Sequence, residues 1–312
     1  MQTKINQSIF TQLNNTKHRA IQDGQFSLFP DKKQNTPVQD TEYWFFSDIY
    51  NIHNNKNTPT HNLDMNNIVS KNLVMPKKIS NNKIELIPHD IQFLTDHTNT
   101  VKHAYTIGYH EYKHANDLQL TRYACWCLVK NHPNNAFSYT YFMSPIISEN
   151  TTFNELEKLS YQFARPHARD TITKYNIYFN SLISKLNGDI KTFNYNKIVS
   201  FFNGHDSASL KFGHNIHDIH TPIFDYMGTL SLNYMINGMH IAIQTFNQSG
   251  SNPNKFTEIL YKQLTNARQE MIRHTGIKPE NDIQQTNITQ VKKLLQQTEN
   301  EFIKKYANIK LH

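Results

Sequence analysis

The chain has 312 residues and a formal net charge of +7 at pH 7, with 38% hydrophobic and 18% charged residues. This length is enough for one large or two ordinary domains with a real core, and the positive charge favours anionic partners such as nucleic acid. No apolar run approaches the length of a membrane span and the first residues lack the apolar segment of a signal peptide, so we expect a cytoplasmic protein without membrane contact.

The first 40 residues are polar and aperiodic, and we expect a flexible arm there. The stretch TEYWFFSDIYNI predicts a strand followed by a helix with Ser47 as its N-cap. Bulky residues then recur near period two in IGYHEYKHANDLQL, which predicts a β-hairpin with its turn at Asn116 and Asp117. The next segment, LTRYACWCLVKNH, predicts a helix capped by Thr121.

The two cysteines, Cys125 and Cys127, stand one residue apart within this predicted helix. Such spacing fits neither a normal disulfide nor a C-x-x-C metal site. We therefore expect both to be inert, half-buried thiols in a reducing compartment.

From about residue 150 the hydrophobic period is helical. NELEKLSYQFAR predicts one helix that stops before Pro166, and ARDTITKYNIYFNSLISKLNG predicts another. PIFDYMGTLSLNYMINGMHIAIQTF predicts two helical stretches that meet near Gly228. A long helix is predicted from Pro253 until Gly276, and a final one over ITQVKKLLQQTENEFIKKYA. The fold class predicted is α+β, with helix predominating: an arm (1–40), an α+β domain (41–148) and an all-helical domain (149–312).

Three stretches resemble motifs of the DNA-damage-inducible protein D (DinD) family, whose N-terminal part is related to the BRO-N domains of phage antirepressor-like proteins. LTRYACWCLVKNHPNNAFSYTYF resembles the family's L-[ST]-R-Y-A-C run with its following N-x-x-P and Y-F pair. FDYMGTLSLNYM resembles L-D-x-M-G-[ST]-x-x-L-A-A-N, although Tyr234 and Met235 replace the small residues. RHTGIKPENDIQQTNITQVKKL resembles the family's G-G-x-x-P-E-D/E helix end and its final S-I-K-x-L segment.

These motifs are collinear and cover about residues 43 to 298. The resemblance implies a BRO-N-like α+β domain before a helical one, and a non-catalytic role in the DNA-damage response, on DNA or on RecA-type recombinase filaments. It also suggests an antirepressor activity. The last amphipathic helix, which follows a polar connection, predicts homo-oligomerisation. We expect no cofactor.

Basic residues on and beside the predicted hairpin are the candidate contacts with phosphates or with an acidic protein face. An ordinary solvated surface is the competing interpretation. The candidates are Lys102, His110, Lys113, His114, Arg122 and Lys130.

The alternative function is that of a metal-dependent hydrolase or nuclease. HEYKH, at residues 110–114, matches the zinc motif H-E-x-x-H, which needs a helix to place both histidines beside one ion. On a strand Glu111 instead points away from both histidines. The second cluster, GHNIHDIH, would place His214, His217 and His220 on one helical face as a possible zinc site. In the family lysines stand in this stretch, and we favour a weakly basic surface.

Overall fold

The computed structural model describes residues 2–20, 41–54, 74–78, 84–88, 96–108, 111–130, 136–147, 151–185, 195–249 and 253–309. The chain divides into two compact units, residues 1–157 with 297–312 and residues 158–296. Helix predominates beside small antiparallel sheets, which confirms the predicted α+β class. The predicted division at residue 148 assigned the C-terminal segment to the helical domain, whereas residues 297–312 belong to the first unit.

The first unit contains all the described strands and several helices. They are α1 (Gln2–Asn15), β1 (His18–Ala20), β2 (Thr41–Phe45), α2 (Phe46–Asn54), β3 (Val74–Lys78), β4 (Ile84–Pro88), β5 (Thr98–Gly108), β6 (Glu111–Thr121), α3 (Arg122–Lys130) and α4 (Ala136–Ile147). The later helices are α5 (Phe153–Lys185), α6 (Tyr195–Asn203), α7 (Ser207–Gly213), α8 (Thr229–Ser249), α9 (Pro253–Thr275) and α10 (Ile288–Tyr306). Short 3-10 turns lie at Ile223–Asp225 and Pro279–Asn281. None of these described helices is both long and apolar enough to cross a bilayer.

The N-terminal residues do not form the predicted arm where they are described. Residues 2–15 form α1, and Leu13 is fully buried. The main-chain oxygen of Leu13 accepts a hydrogen bond from Nε1 of Trp44 at 3.1 Å, so α1 is anchored by a buried contact that local sequence does not reveal. Residues 21–40 lie outside the described part of the chain.

The main sheet is antiparallel with strand order β1-β2-β6-β5. Its longest pairing is the β5–β6 hairpin, which confirms the hairpin predicted from the period-two pattern. The chain reverses between Gly108 and Glu111, however, and not at Asn116 and Asp117. β3 and β4 form a separate two-stranded sheet.

Asp117 shows why the predicted turn was wrong. It pairs with Val101 inside the hairpin, and its buried carboxylate accepts hydrogen bonds from the main-chain N–H groups of Leu118, at 2.8 Å, and Ser47, at 3.2 Å. The Ser47 hydroxyl also donates to it. Asp117 therefore caps the N-terminus of α2 from another strand, and Ser47, the predicted cap, is the second residue of that helix.

The core of the first unit is aromatic. Trp44 packs edge-on against Phe142 with ring centroids 5.2 Å apart, and Trp126 packs against Phe302 of α10 at the same distance. α3 begins as predicted, because Thr121 Oγ1 accepts from the N–H of Ala124 at 3.2 Å. Cys125 and Cys127 on this helix are free thiols and are fully buried, not half-buried as predicted.

α5 continues through Pro166, where the sequence predicted a break. Proline removes a helical N–H, but tertiary contacts can maintain the helix around it. The guanidinium of buried Arg165 donates to the main-chain oxygens of Met227, Asp225 and Thr286 at 3.1, 3.0 and 2.8 Å. These contacts stabilise the helix at the residue preceding the proline.

The second and third motifs of the family resemblance lie against each other in the second unit. Met227 and Ile283 form an isolated antiparallel bridge, and the N–H of Gly228 donates to the main-chain oxygen of Asp282 at 2.7 Å. The Asp282 carboxylate accepts from the N–H of Ser231 at 2.8 Å. Asp282 thus caps α8 across 51 residues of sequence separation.

Candidate nucleic-acid interface

The β5–β6 hairpin extends beyond its neighbour in the sheet. β6 pairs with β2 only through Thr121, Leu120 and Gln119, whereas its pairing with β5 continues from Leu120 to Glu111. The described part from residue 101 to residue 116 is therefore a two-stranded ribbon, which we call the ribbon. Eight residues of strand give it a length of about 25 Å.

The ribbon is basic and aromatic. Its described positions include one acidic residue, Glu111, against two lysines, two histidines and two tyrosines, namely Lys102, Lys113, His103, His114, Tyr105 and Tyr112. Lys102 has an exposed side chain. His110 lies outside the described residues, and for Lys113 and His114 the structure describes only the strand positions.

The register divides these positions between the two faces of the ribbon. Lys102 pairs with Asn116 and Ala104 with His114, while Tyr105 pairs with Lys113. Since alternate positions of a strand belong to opposite faces, the positions of Lys102 and His114 share one face and that of Lys113 belongs to the other. The predicted contact patch is thus split across the ribbon.

His103 is a ribbon position that the sequence did not single out. It pairs with Ala115, which places it on the face that holds the position of Lys113. No local motif marks this residue. Only the hairpin register, with its true turn after Gly108, could have identified it.

Arg122 is not a surface contact, which corrects the prediction that it binds phosphates. Its side chain is 7% exposed, and its guanidinium forms an ion pair with Glu42. The remaining N–H groups donate to the main-chain oxygens of Tyr141 and Phe142 at 3.4 and 3.3 Å. The group also lies 4.9 Å from the ring centre of Trp44, so it is a structural cation inside an aromatic core.

Glu42 is the partner that this buried cation requires. Burial raises the pKa of the Glu42 carboxyl, but the charges and hydrogen bonds of Arg122 and of Lys17, 3.1 Å away, outweigh this effect and leave the pKa below its ordinary value. The carboxylate is therefore stabilised in its ionised form. Sequence reasoning missed Glu42 because it lies 80 residues from Arg122.

Lys130 is also engaged within the first unit. Its side chain is 16% exposed, its Nζ lies 3.2 Å from Oε1 of Glu299, and it sits 4.4 Å from the ring centre of Trp126. The hydroxyl of Tyr139 donates to the same Glu299 carboxylate. Of the predicted contacts whose side chains are described, Lys102 alone is exposed to solvent.

The zinc interpretation of HEYKH does not fit the backbone. Residues 111–114 belong to β6, so the helical face on which an H-E-x-x-H site depends is not formed there. This agrees with the hairpin predicted from the residue period. His110 itself lies outside the described residues.

The second histidine cluster does not lie on a helix either. α7 ends at Gly213, and Asn215 adopts a positive φ of 55°. Nε2 of His214 lies 2.7 Å from the main-chain oxygen of Glu280, while His217 and His220 are exposed. Within the described ranges, no three His, Cys, Asp or Glu residues are positioned to hold a metal ion. The helical face that was predicted to hold His214, His217 and His220 is therefore not formed.

Asp218 organises this segment instead. Its carboxylate accepts hydrogen bonds from the hydroxyl and the N–H of Thr221, from the N–H of His220 and from the hydroxyl of Tyr226. The hydrogen bonds from Thr221, more than any other contact, lower the pKa of Asp218 to about 2. The loop after α7 is thus held by an ionised carboxylate.

Comparisons of the chain with protein-family models, with curated proteins and with solved structures return no match. The resemblance to the DinD family accordingly rests on the three motifs quoted above, and it remains a prediction.

Proposed function

We propose that this chain is a non-catalytic regulatory protein of the cytoplasm that contacts DNA, or a RecA-type filament on DNA, through the ribbon. One observation carries the proposal. The ribbon extends past β2 and bears lysine and histidine positions on both faces, with one acidic residue among its described positions.

The dimensions of the ribbon suit a nucleic-acid groove. The major groove of B-form DNA is about 12 Å wide and admits a two-stranded ribbon. Phosphates line both walls of such a groove. A ribbon with Lys102 on one face and Lys113 on the other would meet phosphates on either side, whereas a one-sided patch would meet a single wall.

The charge of the chain supports the same function. A net charge of +7 attracts polyanions over distances comparable to the Debye length and accelerates encounter with them. Because Arg122 and Lys130 are ion-paired inside the first unit, we assign the direct contacts to the ribbon and not to α3.

The resemblance to the DinD family supports the regulatory context. It implies a part in the DNA-damage response and favours a recombinase filament on single-stranded DNA as one target. The BRO-N relationship favours direct binding to DNA with an antirepressor effect. The homo-oligomer predicted from the last helix is a proposal that light scattering of the purified chain would test.

The experiment is a binding titration by fluorescence anisotropy with labelled single-stranded and double-stranded DNA of one sequence, over about 50 to 200 mM salt. We expect affinity to fall steeply with salt. The double variant Lys102→Ala with Lys113→Ala should flatten the slope of log affinity against log salt by about two, one for each lost phosphate contact.

A matched control removes two exposed lysines of the second unit, Lys262→Ala with Lys293→Ala. This control lowers the net charge by the same amount as the Lys102→Ala with Lys113→Ala variant. If both double variants lose the same DNA affinity, a specific role for the ribbon is refuted. In parallel, a pull-down with RecA-type filaments on single-stranded DNA distinguishes the targets. If the purified chain binds neither DNA nor filaments at low salt, the proposed function is wrong.

A further inference from the structure

The second unit contains a cavity of about 470 Å³ that none of the sequence motifs predicted. It lies between α5, α6, α7 and the loop of residues 219–224. Sites for small ligands commonly have volumes of about 300 to 1,000 Å³ and combine apolar walls with a few polar groups. The cavity falls within this range.

The polar part of its wall is positive. Among the described residues, the lining of the cavity includes Arg169, Lys211 and His220 and no aspartate or glutamate. Arg169 is already neutralised, since its Nε lies 2.6 Å from Oδ1 of Asp225. Its guanidinium also lies 5.6 Å from the ring centre of Phe224.

Lys211 differs from Arg169 in that none of the described residues provides it with a counter-ion. It is 9% exposed, and its Nζ donates to the main-chain oxygen of Asp218 at 2.7 Å. Among the described residues, no carboxylate forms an ion pair with it, and the carboxylate of Asp218 is held by Thr221 and Tyr226. An ammonium group has three donors, and burying its charge without a counter-ion is costly. An anion in the cavity would supply the missing charge.

The apolar part of the cavity wall would contact the apolar part of a ligand. Val199, Ile223 and Phe224 are buried lining residues, whereas Ile177 and Ile219 line the cavity with 65% and 77% of their surface exposed. Exposed isoleucines at the mouth of a cavity favour a ligand with an apolar body. Asn176, 5% exposed, also lines the cavity, and its buried Oδ1 has no hydrogen-bond partner among the described residues.

We infer that this cavity binds a small organic anion with an apolar body, whose negative group pairs with Lys211. The apolar part lies against Val199, Ile223 and Phe224, and Ile177 and Ile219 cover it at the mouth. The oxygen of Asn176, which has no partner among the described residues, favours a ligand that also carries an N–H or O–H donor. This inference is independent of the ribbon and its proposed partner.

The test uses 8-anilinonaphthalene-1-sulfonate, an anion with an apolar body, and its uncharged analogue N-phenyl-1-naphthylamine. Calorimetric titration of the full chain is expected to show one binding site for the sulfonate. The uncharged analogue should bind at least about tenfold more weakly, because it cannot form the charge-assisted hydrogen bond with Lys211. Octanoate should displace the sulfonate, and octanol should not. Equal binding of the two probes, or equal displacement by octanol, would overturn the inference.

Lys211→Met is expected to weaken sulfonate binding by about tenfold and to leave binding of the neutral analogue unchanged. Lys262→Met, an exposed lysine on α9, is the matched control and should change neither. Since removal of a buried lysine can impair folding, Ile177→Glu and Ile177→Gln provide a second pair at an exposed position. The glutamate should repel the sulfonate, and the glutamine should not. Sulfonate affinity that survives both Lys211→Met and Ile177→Glu would refute the assignment.

Discussion

The carboxylate of Asp282 occupies the space that a side chain on Gly228 would need. A Cβ atom at residue 228 would lie 2.0 Å from Oδ1 of Asp282. The same aspartate accepts the N–H of Gly228 on its main-chain oxygen and that of Ser231 on its carboxylate. The close approach therefore caps α8 and joins two distant segments, and only glycine permits it.

Gly228→Ala is expected to destabilise the second unit. The added methyl group must displace the Asp282 carboxylate from the helix cap, and overpacking of this kind costs about 1 to 3 kcal/mol. Thermal unfolding followed by far-ultraviolet circular dichroism measures the loss. Gly213→Ala is the control, since nothing lies within 4 Å of a Cβ there and the residue ends a helix. Equal stability of the two variants would contradict the account.

The buried pair of Glu42 and Arg122 should show strong coupling. Glu42→Gln leaves a buried guanidinium without its counter-charge, and breaking a buried pair costs about 3 to 5 kcal/mol. Arg122→Met removes the cation that holds the main-chain oxygens of Tyr141 and Phe142. Urea unfolding of both variants and of the double variant gives a coupling energy, and additive losses would show that the pair is not a unit.

The same pair predicts how stability depends on pH. The folded-state pKa of Glu42 is below the ordinary value of 4.5, so the folded protein binds this proton less tightly than the unfolded chain. The contribution is complete above pH 4.5 and is lost as the pH falls through the folded pKa. The wild type should therefore lose stability in this acid range faster than Glu42→Gln does. Parallel acid unfolding curves for the two proteins would disprove the assignment.

Tryptophan fluorescence should report on the first unit alone. Both tryptophans of the chain, Trp44 and Trp126, belong to this unit and are fully buried. Phe302→Ala removes a fully buried ring that packs against Trp126, a change that costs about 3 to 5 kcal/mol. We expect the fluorescence transition to shift to lower urea. Leu294→Ala, at a position of α10 that is 42% exposed, should change it little.

The thiols should be protected in the native protein. Burial raises the pKa of Cys127 to about 12 and that of Cys125 well above its ordinary value, so little reactive thiolate forms near neutral pH. Iodoacetamide should label neither cysteine of the native protein in the time in which it alkylates both cysteines of the denatured chain. The mass of the intact protein measures the number of alkyl groups added. Rapid labelling of the native protein would show that α3 opens readily.

Several local features of the fold could be predicted from the sequence. The hairpin followed from the period-two pattern, the start of α3 from Thr121, and the end of α9 from Gly276, which adopts a positive φ of 72°. Each depends on residues that are neighbours along the chain, where backbone geometry and capping act directly.

Tertiary structure decided the features that connect distant residues. Asn116 and Asp117 are typical turn residues, but Asp117 lies within β6, and its carboxylate caps α2. Pro166 predicted a helix end, but α5 continues through it, and the contacts of Arg165 stabilise the helix there. The candidate site differs most from its prediction. Arg122 was predicted to be a surface cation, but its guanidinium is paired with Glu42.

The sequence by itself determined the class of the fold, the basic charge and the existence of the hairpin, because period, composition and capping residues are local properties. Only the tertiary structure decided which cations face solvent, on which side of the ribbon each position lies, and that Lys211 lines a cavity where no described residue is its counter-ion. The physical reason is that the environment of a charge depends on what packs around it, and those neighbours come from remote parts of the chain.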